Sequence, residues 1–134
     1  MKEMVYSRNR SMEVLYSGIY EGHKFAIISL GTHPTAYVEC KLGNCSSYND
    51  NRLDNVKVPF GFTFLGCPYW SSESDLFLGW DYAHFCDFAG YEMSFPERLR
   101  TNGKKWTTAE IFEEVKSVIE QLKEVESKSD ILSD

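Results

Sequence analysis

Apolar and polar residues between Glu13 and Leu30 fall into two short runs, Glu13-Val-Leu-Tyr-Ser-Gly-Ile-Tyr20 and Lys24-Phe-Ala-Ile-Ile-Ser-Leu30, separated by Glu21-Gly22-His23. β-branched and aromatic residues suit a pleated surface, and glycine in a tight connection is a hairpin signal. Gly31-Thr-His-Pro34 then breaks the pattern, because proline cannot donate to a ladder. Ala36-Tyr-Val-Glu-Cys40 resumes as a short strand. From Lys41 to Asn55 the chain is dense in Gly, Asn, Ser and Asp, the composition of a long surface loop. Val56-Lys-Val-Pro-Phe-Gly-Phe-Thr-Phe64 alternates, predicting Phe60, Phe62 and Phe64 on one face and Gly61 and Thr63 on the other. Pro59 within it points to an edge position or a bulge. A loop from Gly66 to Asp75 leads to a last strand from Leu76 to Tyr82.

The strongest periodicity comes last. Thr107-x-x-Glu110 is a capping box, and Ile111, Val115, Val118, Leu122 and Val125 follow at helical spacing, with Phe112 and Ile119 widening the stripe. A stripe this broad packs across a sheet. The expected fold is therefore α+β: a mostly antiparallel sheet of about five strands against a C-terminal amphipathic helix. Residues 1–126 read as a single domain, and 127–134 as an acidic tail that frays.

With 134 residues, 43% of them apolar and 25% charged, the chain has the material for one core and a wet exterior. A net charge of −6 argues against nonspecific binding to nucleic-acid phosphates. Lys2, Arg8 and Arg10 form a basic N-terminal arm, a local patch suited to a small anion, whereas Glu110 to Asp134 is acidic. No stretch is long and apolar enough to span a bilayer and no secretory pattern opens the chain, so a cytoplasmic location, in the host cell's cytosol, is expected and no membrane partner. Cys40, Cys45, Cys67 and Cys86 are expected as reduced thiols, because Cys40-x4-Cys45 sits at the loose end of zinc-knuckle spacing and no C-x2-C pair exists. No cofactor is expected.

Chemistry gathers where the last strand ends. Asp81, His84 and Asp87, spaced by three, would share a side if the segment made a helical turn, so that two carboxylates flank an imidazole. That arrangement suits polar recognition, a metal or acid–base work; the plainer alternative has Asp81 capping backbone amides and His84 bonding a carbonyl. Tyr69 and Trp70 on a loop, with Trp80 nearby, are aromatic rings that could stack on a base, although Phe60, Phe62, Phe64, Phe77 and Trp80 are also the natural filling of the sheet–helix interface. His23 and His33 read as turn residues. No serine-elbow, Walker or Rossmann signature is present, so the case for an enzyme is thin.

These residues carry a resemblance. His33-Pro34-x-x-Tyr37, Tyr48-Asn-Asp50, Val58-Pro-Phe-Gly61-Phe-Thr63-Phe64 and Gly79-Trp80-Asp81-Tyr-Ala83-His84-Phe-Cys-Asp87 resemble the pattern of a family of small proteins encoded mostly by tailed phages and prophages. The likeness runs over about residues 31 to 124. Pro59-Phe60-Gly61 stands where that family has His-Gly-Gly, so a mechanism with two facing imidazoles does not carry over. Gly61 and Thr63 keep a side-chain-poor strand face suited to close approach by a ligand. The resemblance implies a counter-defence protein that binds and sequesters a small nucleotide-derived immune signal, with Asp81, His84, Asp87, Trp80, Thr63, Tyr69, Trp70 and His33 as ligand-binding residues. A homodimer is compatible with such a role. The alternatives are an inhibitor that binds a host defence or CRISPR protein through the acidic surface carrying Glu113, Glu120 and Glu124, and a small metal-dependent or acid–base hydrolase.

Overall fold

The structure is a computed structural model, which describes residues 1–5, 12–58, 61–68, 75–82 and 105–132. It is an α+β arrangement: an antiparallel sheet of five strands packed against one C-terminal helix. The strands are β1 (Glu13–Tyr20), β2 (His23–Ser29), β3 (Pro34–Glu39), β4 (Phe64–Gly66) and β5 (Phe77–Asp81), in the order β1-β2-β3-β5-β4. The helix, α1, spans Thr108–Leu132. Among the described residues no helix is long and apolar enough to cross a membrane.

The β1–β2 hairpin closes through a two-residue turn, Glu21 at φ 50° and Gly22 at φ 81°, flanked by the Tyr20–His23 pair. Positive φ at both central residues matches the turn to the right-handed twist of the strands. The helix begins as its sequence dictates. Thr107 N–H donates to Glu110 Oε1 at 3.0 Å, and Glu110 N–H donates back to Thr107 Oγ1 at 3.2 Å. Ile111, Val115, Val118, Ile119 and Leu122 are buried against Leu15, Phe25, Ile27, Val38, Leu78 and Trp80. Each such aliphatic side chain contributes roughly 1.5–3 kcal/mol of transfer free energy. Phe112 seals the hairpin side, its ring 5.0 Å from that of Tyr16 and 5.3 Å from that of Phe25. The helix continues past Ser127, where the sequence predicts fraying, to Leu132; Glu126, held on two sides as described below, anchors the turn before it.

Lys2, at the start of the basic arm, straps β1 to the start of α1. Lys2 N–H donates to Leu15 O at 2.8 Å, its ammonium pairs with Glu13, and its carbonyl accepts the Thr108 hydroxyl at 2.6 Å. Arg8 and Arg10 lie outside the described residues. The loop from Lys41 to Asn55 is pinned by its own apolar residues Leu42 and Leu53, buried in the core with Val56 just after it. Asp50 caps the short 3-10 turn Asn51–Leu53, and its carboxyl is lowered to about 2 by hydrogen bonds from the Arg52 guanidinium and amide.

The run from Val56 to Phe64 is not the continuous strand its alternation predicts. Gln121 Oε1 accepts Lys57 N–H at 2.8 Å and its amide donates to Lys57 O at 3.2 Å, so a side chain of α1 takes the place of a neighbouring strand. A turn follows, with Gly61 at φ 83° and its N–H on Val58 O. Thr63 N–H then donates to Gly79 O at 2.8 Å while Phe64 is the register partner of the same Gly79. Two residues opposite one is a β-bulge, and it breaks the parity. Phe62 meets Trp80 on the helix side, whereas Phe64 meets Tyr37 on the other, with ring centroids 6.2 and 5.4 Å apart. Phe60 lies outside the described residues. Phe77 shares its parity with Gly79 and Asp81, so it too stands away from the helix, contrary to expectation, although it is buried.

Candidate functional site

On the sheet face opposite α1, three register pairs run in a row across β3 and β5: Thr35 with Asp81, Tyr37 with Gly79, and Glu39 with Phe77. Gly79 makes the middle of the row work. A Cβ there would come within 2.9 Å of Tyr37 Cδ1 and 3.2 Å of Ala36 O, so the phenol ring lies directly on bare backbone. Phe64, from β4, braces that ring edge-on. Thr63, at the bulge, is exposed beside it.

The Thr35–Asp81 pair closes the row at the end of the sheet. Tyr82 N–H donates to Pro34 O at 3.1 Å, which makes Thr35 and Asp81 a pair without mutual backbone bonds, the geometry in which facing side chains approach most closely. Thr35 is 7% exposed, and its Oγ1 is buried with no hydrogen-bond partner among the described residues. An unmet buried hydroxyl costs about 1–3 kcal/mol in desolvation, so its place beside a carboxylate calls for an explanation. The β2–β3 connection arrives at the same end. Gly31, at φ 86°, donates its N–H to Ser29 Oγ, Leu30 N–H donates to His33 O, and Thr32 Oγ1 lies 3.1 Å from His33 Nδ1. Ser29 and Thr32 are buried and His33 is half-buried.

Of the residues singled out in the sequence, Asp81, Thr63 and His33 thus fall at this corner of the sheet, on β5, at the β4 bulge and before β3. Trp80 does not belong with them. Its parity is opposite to that of Asp81, it is completely buried in the sheet–helix core, and its ring has no surface to offer a ligand. Its indole N–H donates to Tyr82 Oη at 2.8 Å, and that hydroxyl donates to Glu114 Oε2 on α1 at 2.9 Å. Tyr82→Phe removes the acceptor of a buried indole N–H and is expected to destabilise the fold by about 1–3 kcal/mol in urea unfolding. His84, Asp87, Tyr69 and Trp70 lie outside the described residues, as does Cys86.

A second polar junction escaped the sequence reading altogether. His23 is buried, not a solvated turn residue: its Nε2 lies 2.6 Å from Glu126 Oε1 and its Nδ1 3.3 Å from Glu21 O. Acceptors at both ring nitrogens favour the imidazolium, which donates from each. The hydrogen bond to Glu126 raises the His23 pKa above its ordinary value of 6.5, against an opposing effect of burial. Glu126 Oε2 also accepts Lys41 N–H at 2.7 Å, and Lys41 Nζ donates to Gly22 O at 2.8 Å. Hairpin turn, helix end and the segment after β3 are tied at one point. The signal available in the sequence was parity, since His23 shares its strand face with Phe25 and Ile27.

Cys40 and Cys45 are free thiols, and burial pushes Cys40 up to about 12, which keeps it protonated and unreactive at neutral pH. Among the described residues no group of three or more His, Cys, Asp or Glu side chains is placed to hold a metal. On the acidic face of α1, Glu113 pairs with Lys116 and Glu120 accepts the Tyr20 hydroxyl. Comparison with protein-family models, with curated proteins and with solved structures finds no match for this chain.

Proposed function

We propose that this chain is a phage-encoded counter-defence protein that binds and sequesters a small nucleotide-derived immune signal on the β3-β5-β4 face. The observation that carries the reading is the convergence of sequence-distant segments, His33–Tyr37, Thr63–Phe64 and Gly79–Asp81, on one corner of one sheet. Among them they supply a braced aromatic ring, a carboxylate and a buried hydroxyl with no partner among the described residues. That is the mixture a small polar aromatic ligand needs: a ring to lie against and a few fixed polar groups to orient it. The same segments carry the resemblance to the phage family, and from there comes the expectation of an immune signal as the guest.

Sequestration has a distinctive outcome. Protein incubated with cyclic dinucleotides or ADP-ribose derivatives, separated from free ligand and then heated, is expected to release the ligand chemically intact, and Asp81→Asn to carry less of it. Recovery of a hydrolysed product would show an enzyme, and recovery of nothing from any ligand class would remove the reading.

A further inference from the structure

We propose that a second copy of this chain adds to the free edge of β1, so that two sheets join antiparallel across a two-fold axis at Gly18. β1 is an outer strand of the order β1-β2-β3-β5-β4 and has eight residues, whereas β4, at the other end, has three. An edge strand is a template for another strand, and proteins commonly blunt it with proline, lysine or a bulge. From Tyr16 to Tyr20 β1 carries none of these, since its bulge lies earlier, between Val14 and Tyr16. Ser17, Gly18 and Ile19 are exposed, Ile19 by 70%.

The register of the hairpin fixes which backbone groups are free. A two-residue turn makes Tyr20 and His23 a pair that exchanges backbone hydrogen bonds, and such pairs alternate along an antiparallel ladder. Gly18 and Tyr16 therefore also bond inward, to Phe25 and Ile27, while Ser17 and Ile19 turn N–H and C=O outward. Leu15 follows the same sense: its carbonyl accepts Lys2 N–H at 2.8 Å, which closes the edge at that point. Two donors and two acceptors stay open, one of each on Ser17 and on Ile19, with no partner among the described residues.

This short stretch is complementary to itself. A guest strand must present outward groups two residues apart, and must fit between Lys2 at one end and the Glu21–Gly22 turn at the other. The same stretch of a second copy does both. Run antiparallel, Ser17 exchanges hydrogen bonds with the partner's Ile19, and Ile19 with the partner's Ser17, so every free group is used. Gly18 then faces the partner's Gly18. On the helix side Tyr16 comes opposite the partner's Tyr20, and both Tyr16 and Tyr20 are already held edge-on by Phe112. On the other side Ile19 lies diagonal to the partner's Ile19, which covers its exposed side chain. The contact is isologous and closes at two copies, away from the β3-β5-β4 face.

Sedimentation of the full chain at rising concentration is expected to show a mass twice the 15.5 kDa of one copy. Ile19→Lys is expected to raise the dissociation constant by at least about tenfold, because it sets two ammonium groups diagonally across the joint, while melting at the native temperature in dilute solution. Two cysteine variants read the register under oxidised glutathione, with the native chain as reference for its own Cys67. Gly18→Cys is expected to form a disulfide-linked dimer, since facing residues in a pair without mutual hydrogen bonds have Cα atoms about 4.5 Å apart. Its new Cβ meets nothing closer than the Phe25 ring at 3.5 Å. Ile19→Cys is not expected to cross-link, because diagonal neighbours stand about 7–8 Å apart, beyond the reach of a disulfide. A single-copy mass at every concentration, a dimer indifferent to Ile19→Lys, or cross-linking of Ile19→Cys as readily as Gly18→Cys overturns the proposal.

Discussion

Replacing Glu126 with alanine is expected to destabilise the protein by about 3–5 kcal/mol near pH 6, because it strips the partner from a buried imidazolium and from the Lys41 amide together. Side-chain exposures of 5% for His23 and 10% for Glu126 leave water little access to replace what is lost. The pair also fixes how stability changes with pH. His23 has a folded pKa raised above 6.5, chiefly by its hydrogen bond to Glu126, although Lys41 nearby opposes the charge. A raised pKa means that the folded state holds the proton more tightly than the unfolded chain does. The stabilisation is therefore fully present below about pH 6.5 and is lost as pH rises through the folded value. Urea midpoints measured between pH 5.5 and 8.5 should fall toward the alkaline end in the native chain and stay nearly level in His23→Gln. The window stops at 8.5 because Cys40, pushed from 9.0 up to about 12, withholds its proton from there upward and adds a second loss of stability with pH. A level native profile across that window would mean that His23 is neutral in the fold and that Glu126 accepts a hydrogen bond from an uncharged imidazole.

The contrast between what the sequence revealed and what it concealed follows from range. The hairpin and the capping box depend on residues a few positions apart, and both stand where the local pattern puts them. The long strand expected from Val56 to Phe64 depends on what lies across from it. Gln121, 64 residues later, satisfies the Lys57 backbone, and the bulge at Thr63 shifts the parity of everything after it. No pattern of alternation contains that information, since one inserted residue exchanges the two faces of a strand. The burial of His23 likewise requires Glu126, 103 residues away. At the candidate site the motifs drew attention to segments that the sheet brings to one corner, and the strand order decided which members meet. Trp80 is turned into the core by parity, and Thr35 and Tyr37 join the face of Asp81 through register with β5. Tyr37 stood in the sequence only as the last residue of the His33-Pro34-x-x-Tyr37 motif, and Thr35, without charge or reactive group, had nothing to single it out.

Gly79 joins fold and site, and Gly79→Val is expected to damage both. The glycine is not there for an unusual backbone angle; it is there for clearance, since a Cβ would stand 2.9 Å from Tyr37 Cδ1 and 3.2 Å from the carbonyl oxygen of Ala36. The phenol could swing aside, but the Ala36 carbonyl belongs to the central strand of the sheet and cannot retreat without breaking the β3–β5 ladder. The two methyl groups of valine aggravate both contacts, so a loss of about 2–3 kcal/mol is expected, at the upper end for overpacking. Displacing the Tyr37 ring also removes the platform beside Asp81, so any ligand held there should be lost even at temperatures where the variant is fully folded. Gly79→Ala separates the effects: it keeps the 2.9 Å conflict with the ring without the branch, and is expected to cost about 1 kcal/mol while weakening binding more than stability. Circular dichroism melts beside ligand titrations would test the pair of variants. Ligand affinity in Gly79→Val equal to that of the native chain would mean that the Tyr37 face is not where the guest sits.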